Sequence, residues 1–260
     1  VVLALAGAGC GGGGSGTDAG TAPGTDTGTP GTDAGSTPGT DAGSTPMGDA
    51  GPVGSLGPSH DGTYNLGPVD WAETAWHNAC SPYPASIQML EGNLLAGVSN
   101  AVGTGNYCDA CIELTTAMGR RVVARVVTYG DTVGPGDVDL SQEAYDMLSP
   151  GDATRAMQWH LVTCPTTAPL YVQFQTGANE WWTSFWIRNP RVAIDHVEVT
   201  STNHATAVSL MAGSDGTFTD GGGFGAGAFT LRVVGVDGSH FEQTFPGFMP
   251  GDNVAASGNL

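Results

Sequence analysis

From residue 121 onward, apolar and polar positions alternate in short runs: RVVARVVTY (121–129), QWHLVTC (158–164), LYVQFQ (170–175), WWTSFWIR (181–188), AIDHVEVTS (193–201) and FTLRVVGVD (229–237). A period of two places alternate side chains on opposite faces of a strand. Glycine, proline, asparagine and aspartate separate the runs, which predicts an all-β chain. Two stretches read differently. PASIQMLEGNLLAGVSNA (84–101) has partial helical spacing, and DLSQEAYDMLSP (139–150) predicts a helix capped by Asp139 or Ser141 and stopped at Pro150. The prolines of TCPTTAPL (163–170) mark a boundary between two β domains, 59–165 and 166–260.

The pattern is absent upstream. Residues 16–46 repeat GTDAGTAP, GTDTGTP, GTDAGSTP and GTDAGSTP. These units hold no aromatic residue and no apolar face, so they cannot offset the entropy of folding. Residues 16–58 therefore read as a disordered, solvated linker. The ten residues before the linker's glycine run, VVLALAGAGC, resemble the end of an export signal. Small residues directly before Cys10 leave two readings open: a lipoprotein lipidated at Cys10, or an ordinary secreted protein.

Composition narrows the partners. The 260 residues include 42 Gly and 16 Pro, carry a net charge of −18, and have seven basic side chains, all Arg. Such a surface repels nucleic acid and anionic membranes and suits a neutral partner. Beyond Cys10 there are Cys80, Cys108, Cys111 and Cys164, an even set that in an exported chain reads as two disulfides of unassigned pairing. The competing reading of CDAC (108–111) is a metal or redox site, which wants a second close pair or histidines at ligand spacing. No such pattern exists, so neither metal nor cofactor is expected. GGGFGAG (221–227) lacks the lysine of a phosphate-binding loop and reads as a hairpin loop. Three of the chain's six tryptophans stand within GANEWWTSFWIRNP (177–190). Adjacent strand residues face opposite ways, so at least one of Trp181 and Trp182 is expected on the surface unless the backbone is bulged.

Several stretches combine. NACSPYP (78–84), NYCDACIEL (106–114), GDVDLSQEAYDML (136–148), QWHLVTCP (158–165) and GANEWWTSFWIRN (177–189) resemble, in order and spacing, the motifs of bacterial expansins. GTY (62–64) resembles that family's opening. The resemblance covers about residues 60–260. It implies a six-stranded double-psi β-barrel followed by an immunoglobulin-like β-sandwich similar to family-63 carbohydrate-binding modules. It also implies a monomeric, non-hydrolytic protein that loosens plant cell walls and binds cellulose, related β-glucans or xylan. By position in the family, Trp181 and Trp182 match a surface aromatic platform, with Phe218 or Trp186 as its third ring. Phe185 and Ile187 alternate as core.

The barrel of that family is related to family-45 glycoside hydrolases, which use an acid and a base carboxyl ~6.5–9.5 Å apart. Asp139 matches the acid, and Thr63 and Tyr64 match the polar and aromatic positions near it. No residue matches the base; Asp70 is the nearest carboxylate but has the wrong spacing. Where expansins usually carry another aspartate, this chain has Thr128, with Asp131 three residues later as a substitute, and the aromatic expected nearby falls at Gly130, beside Tyr129. Trp71 and Trp76 are either replacement groove contacts or core. The alternatives to wall loosening are a tethered cellulose adhesin, an endoglucanase and a peptidoglycan-cleaving barrel protein. The aromatic pair argues against the last.

Overall fold

The computed structural model describes residues 54–71, 79–131, 134–248 and 253–260. The readings for Cys10, the repeat linker and Trp76 lie outside the described residues. Six strands close a barrel: β1 (His60–Leu66), β2 (Leu95–Ser99), β3 (Cys111–Thr116), β4 (Arg121–Gly130), β5 (Val138–Leu140) and β6 (Ala156–Val162). Their order around it is β1-β5-β2-β4-β3-β6. The β1/β5 and β2/β4 pairs are parallel and the others antiparallel, the double-psi arrangement. Tyr64, Val98, Ile112, Leu114, Val126, Val138, Leu140 and Trp159 fill its interior.

The helical reading of 84–101 holds only for its first half. Helix α1 (Ala85–Glu91) ends at Gly92, and Leu95–Ser99 is strand β2, buried at every position. A strand covered on both faces shows no alternation, so its apolar run imitates a helix. Helix α2 (Gln142–Leu148) has Ser141 as its N-cap residue, while Asp139 lies inside β5. Ser141 makes no cap bond; its hydroxyl accepts from Leu95 N–H and donates to the Asn93 carbonyl, tying α2 to β2.

Eight further strands form two four-stranded sheets. One has the order β11 (Phe218–Asp220), β8 (Thr183–Arg188), β7 (Tyr171–Phe174), β14 (Asn253–Ala255); the other has β10 (Val208–Leu210), β9 (Ile194–Thr200), β12 (Phe229–Gly235), β13 (His240–Phe245). Between them lies a core of Phe174, Phe185, Phe218, Phe224, Phe229 and Phe245 with Ile187, Val197 and Leu231, an immunoglobulin-like sandwich. The glycine-rich run 221–227 joins β11 to β12, which belong to different sheets. It is an inter-sheet crossover and not the expected hairpin loop.

All six residues of β8 are buried. Phe185 and Ile187 face the phenylalanine core, whereas Trp186 and Arg188 face the barrel. Arg188 has no exposed surface. Its guanidinium bonds Asp109 at 2.6 Å, Gln173 at 2.7 Å, and the carbonyls of Cys80 and Pro82 at 2.8 and 2.9 Å. It also lies 4.1 Å from the Tyr83 ring centre and 4.9 Å from that of Trp186. Paired charges, satisfied donors and two flat apolar lids are what make a buried guanidinium tolerable. Barrel and sandwich belong to one compact unit, Asp49–Leu260. Disulfides join Cys80 to Cys108 and Cys111 to Cys164. The two cysteines of CDAC thus take different partners, which removes the metal or redox reading of that motif.

Candidate functional site

The two adjacent tryptophans stand outside because the strand has not yet begun. Asn179 and Trp182 close a tight turn, with Asn179 N–H on the Trp182 carbonyl at 2.8 Å and the reverse bond at 3.2 Å. The Asn179 side-chain oxygen accepts the N–H groups of both Trp181 (2.9 Å) and Trp182 (3.0 Å). An asparagine side chain closing on backbone two residues ahead is a standard turn former. Trp181 is left 67% exposed and Trp182 38% exposed. β8 starts one residue later.

The crossover loop supports this turn from behind. Gly225 N–H bonds the Glu180 carbonyl at 2.8 Å. Gly223 has φ +66°, and a Cβ there would lie 2.3 Å from the Glu180 carbonyl oxygen. Only glycine permits that approach. Trp181 also walls an open cleft whose far side is Pro246, Gly247 and Phe248. Asn179 and Gly223 were not foreseen as site residues. The Asn two residues before the tryptophans was the available signal; the glycine contact is long-range and leaves none.

Neither candidate for a third ring is available. Phe218 is 3% exposed in the sandwich core, its ring centre 5.9 Å from that of Phe185. Trp186 is 5% exposed and donates its ring N–H to the Asp215 carbonyl at 2.9 Å. Trp186 is in phase with Trp182, but its ring is covered by the Asp215 loop and the Arg188 guanidinium.

On the barrel, Val138 and Leu140 point inward, so Asp139 between them stands on the outer face, partly buried. Gly97 of β2 pairs with Asp139 on one side and with Thr128 of β4 on the other. The register slips at Ala96/Gly97, a bulge in β4. Two strand spacings put the Asp139 and Thr128 backbones ~9–10 Å apart. A Cβ on Gly97 would lie 2.8 Å from the Thr128 methyl, so the missing side chain gives Thr128 its place. The Thr128 hydroxyl accepts the Ala79 N–H at 3.0 Å. Burial first, and then the negative charge of Asp137, raise the Asp139 carboxyl above the ordinary aspartate range.

The other barrel candidates do not converge on Asp139. Tyr64 is fully buried in the barrel core and donates to Asp152 at 3.1 Å; burial, then this bond, push its phenol up to about 12. It was expected as a groove aromatic, but the inward phase of β1 decides otherwise. Thr63 is occupied by Asp137, which accepts both its N–H (2.8 Å) and its hydroxyl (3.0 Å). Asp131 is exposed and accepts from Asn100 at 2.5 Å. Asp70 is exposed after β1. Trp71 is buried, its ring N–H on the Gly92 carbonyl at 2.8 Å, so it is core and not a groove contact. Among the described residues no cluster of His, Cys, Asp or Glu is placed to hold a metal ion.

These folds and surfaces define a class: a double-psi barrel joined to an immunoglobulin-like sandwich with an exposed aromatic pair. No family model matches the chain. The crystal structure of the apo Clavibacter michiganensis expansin matches with a TM-score of 0.62 at 20% identity, covering 77% of this chain and 97% of that one. A mutant of that expansin in complex with cellohexaose matches with a TM-score of 0.61, also at 20% identity and with the same coverage. In sequence, expansin-like protein 6 of Dictyostelium discoideum is 24% identical over 187 residues, 68% of this chain and 64% of that protein. Expansin-like protein 1 of the same organism is 26% identical over 164 residues, 60% of this chain and 57% of that protein. The chain therefore spans less than two thirds of the length of these curated relatives. In sequence the chain is similar to expansin-like proteins, and it shares the fold of a solved expansin.

Proposed function

We propose that the protein binds cellulose-type β-glucan chains, lying flat, through Trp181 and Trp182, and acts on plant cell walls from outside the cell without cutting them. The observation that carries this reading is the exposed tryptophan pair, fixed by the Asn179 turn and backed by Gly223. A β-linked glucan presents flat C–H faces. Stacking on an indole removes apolar area from both partners at ~25 cal/mol per Å², and the ring's polar edge stays in water. The net charge of −18 suits a neutral polymer. A solved neighbour carries cellohexaose, and two disulfides favour an oxidising compartment. The same reading takes 59–165 as a barrel domain and 166–260 as a sandwich domain, and the two sets of strands support it.

The reading without cleavage rests on the barrel. An inverting hydrolase needs a protonated acid and a separate base to activate water. Asp139, with its raised carboxyl, suits the acid. No carboxylate matches the base: Asp70 is exposed after β1, and the residue across Gly97 from Asp139 is Thr128, whose hydroxyl accepts the Ala79 N–H. Losing one of two groups that act together removes most of the catalysis. Thr128 equally favours a second reading, a cellulose adhesin without loosening activity.

The test applies the purified full chain to plant wall strips under constant load, with reducing ends measured in the same bath. Extension with no reducing ends above a buffer blank is expected. Retention on the wall without extension selects the adhesin. Release of reducing ends that Asp139→Asn abolishes overturns both in favour of an endoglucanase.

A further inference from the structure

One cleft lies apart from the tryptophans and from Asp139. Its walls are the segment between β6 and β7, with Thr163, Thr166 and Thr167, and the turn after β8, with Arg191; Asn259 closes it, and its volume is about 730 Å³. That is within the ~300–1,000 Å³ of small-molecule sites. In a chain with 25 acidic residues, none lines this cleft.

The arginine in it is unlike the other six. Arg120, Arg121, Arg125, Arg155, Arg188 and Arg232 each direct the guanidinium at a carboxylate, a backbone carbonyl or a side-chain amide. Arg191 is bonded only through its backbone: its N–H donates to Asn259 at 3.0 Å, and its carbonyl accepts from Cys164 at 2.7 Å. Its head has no hydrogen-bond or ion-pair partner among the described residues. The hydroxyls of Thr163 and Thr167 likewise have none there. Both walls are tied to the rest of the fold. The Cys111–Cys164 disulfide fixes one. Asn259 fixes the other by donating to the Ala168 and Asn189 carbonyls at 2.8 and 2.9 Å.

We infer that this cleft binds one carboxylate-bearing sugar residue, of the uronic acid class, carried on an otherwise neutral wall polysaccharide. The free guanidinium takes the carboxylate through two parallel N–H bonds. The threonine hydroxyls take ring hydroxyls. Selectivity for an isolated charge follows from the rest of the molecule. At physiological salt, charges act over ~8 Å, so one carboxylate at Arg191 feels the local cation. A polyuronate brings many charges to a chain of net charge −18 and is repelled. The choice of a saccharide rests on the function proposed above; the preference for a negative over a neutral residue rests on the cleft alone.

The test uses the full chain and two soluble probes: a xylo-oligosaccharide bearing one glucuronic acid, and its carboxyl-reduced, neutral twin. Titration calorimetry should find the acidic probe bound about tenfold more tightly, as one charge-assisted pair allows. Arg191→Gln should erase that difference, and Arg191→Lys should keep part of it. Retention on insoluble cellulose should be unchanged in Arg191→Gln. Equal affinity for the twins, no binding of either, or a preference that survives Arg191→Gln overturns the inference. Cellulose retention is read separately through Trp181 and Trp182, so failure of the platform leaves this result intact, and the reverse holds too.

Discussion

The outer face of the barrel and the turn before β8 both carry residues suited to a saccharide, yet they present them in opposite ways. At the turn, two large rings stand in solvent, held by backbone bonds and by the side chains of Asn179 and Thr183. On the barrel, Asp139 is half sunk beside Gly97, and Asp137 adds charge without contact. The sandwich offers area, which a flat, neutral polymer can use at once. The barrel offers one titratable group with Thr128, not a second carboxylate, across Gly97. On the proposed reading, binding and chemistry are thus separated in the molecule: the exposed pair lacks the expected third ring, and Asp139 lacks a second carboxylate across Gly97.

The largest expected effect comes from breaking the joint between these regions. Arg188→Ala leaves Asp109 buried without its guanidinium, a class of change that costs about 3–5 kcal/mol. The thermal midpoint should fall by on the order of 10 °C for a unit of this size, read by circular dichroism. An unchanged midpoint would mean that the two halves are held together by something other than Arg188.

A smaller effect separates the carboxylate from the rings. Burial raises the Asp139 carboxyl, so the folded chain holds this proton more tightly than the unfolded chain. Ionisation therefore costs stability. The favourable contribution is complete below the ordinary aspartate value and is lost as pH rises through the folded one. Asp139→Asn should melt a few degrees higher than the parent at neutral pH, and the gain should shrink toward zero below about pH 3.5. Cellulose retention should not move. A variant less stable at neutral pH would show that Asp139 makes a contact worth more than its burial costs.

Much of this was legible in the chain. Alternation in AIDHVEVTS and FTLRVVGVD marks strands β9 and β12, because each pairs one core face with a more open one; RVVARVVTY is strand β4 although residues 124–127 are all buried. Leu95–Ser99 was not legible, since burial on both faces removes the period. The same cause hid Trp186. Its phase on β8 points away from the phenylalanine core, and phase alone cannot reveal that the barrel lies against that face. Phe218 failed for the opposite reason: three residues of β11 are too few for a pattern, and the ring turns inward. Tyr64 follows the inward phase of β1, which the motif match overrode. The five ordered motifs pointed to the architecture, while the exposure of each aromatic depended on long-range packing.

The central claim is that the tryptophan pair forms the cellulose-binding surface. Its most direct test is retention of the full chain on insoluble cellulose, comparing the parent with Trp181→Ala/Trp182→Ala. The two side chains are exposed and the turn is held by Asn179, so the double variant should fold with a thermal midpoint within a few degrees of the parent. Each stacked ring contributes on the order of 1–2 kcal/mol at ~25 cal/mol per Å², so retention should drop at least about tenfold. A folded double variant that binds cellulose as well as the parent would contradict the account.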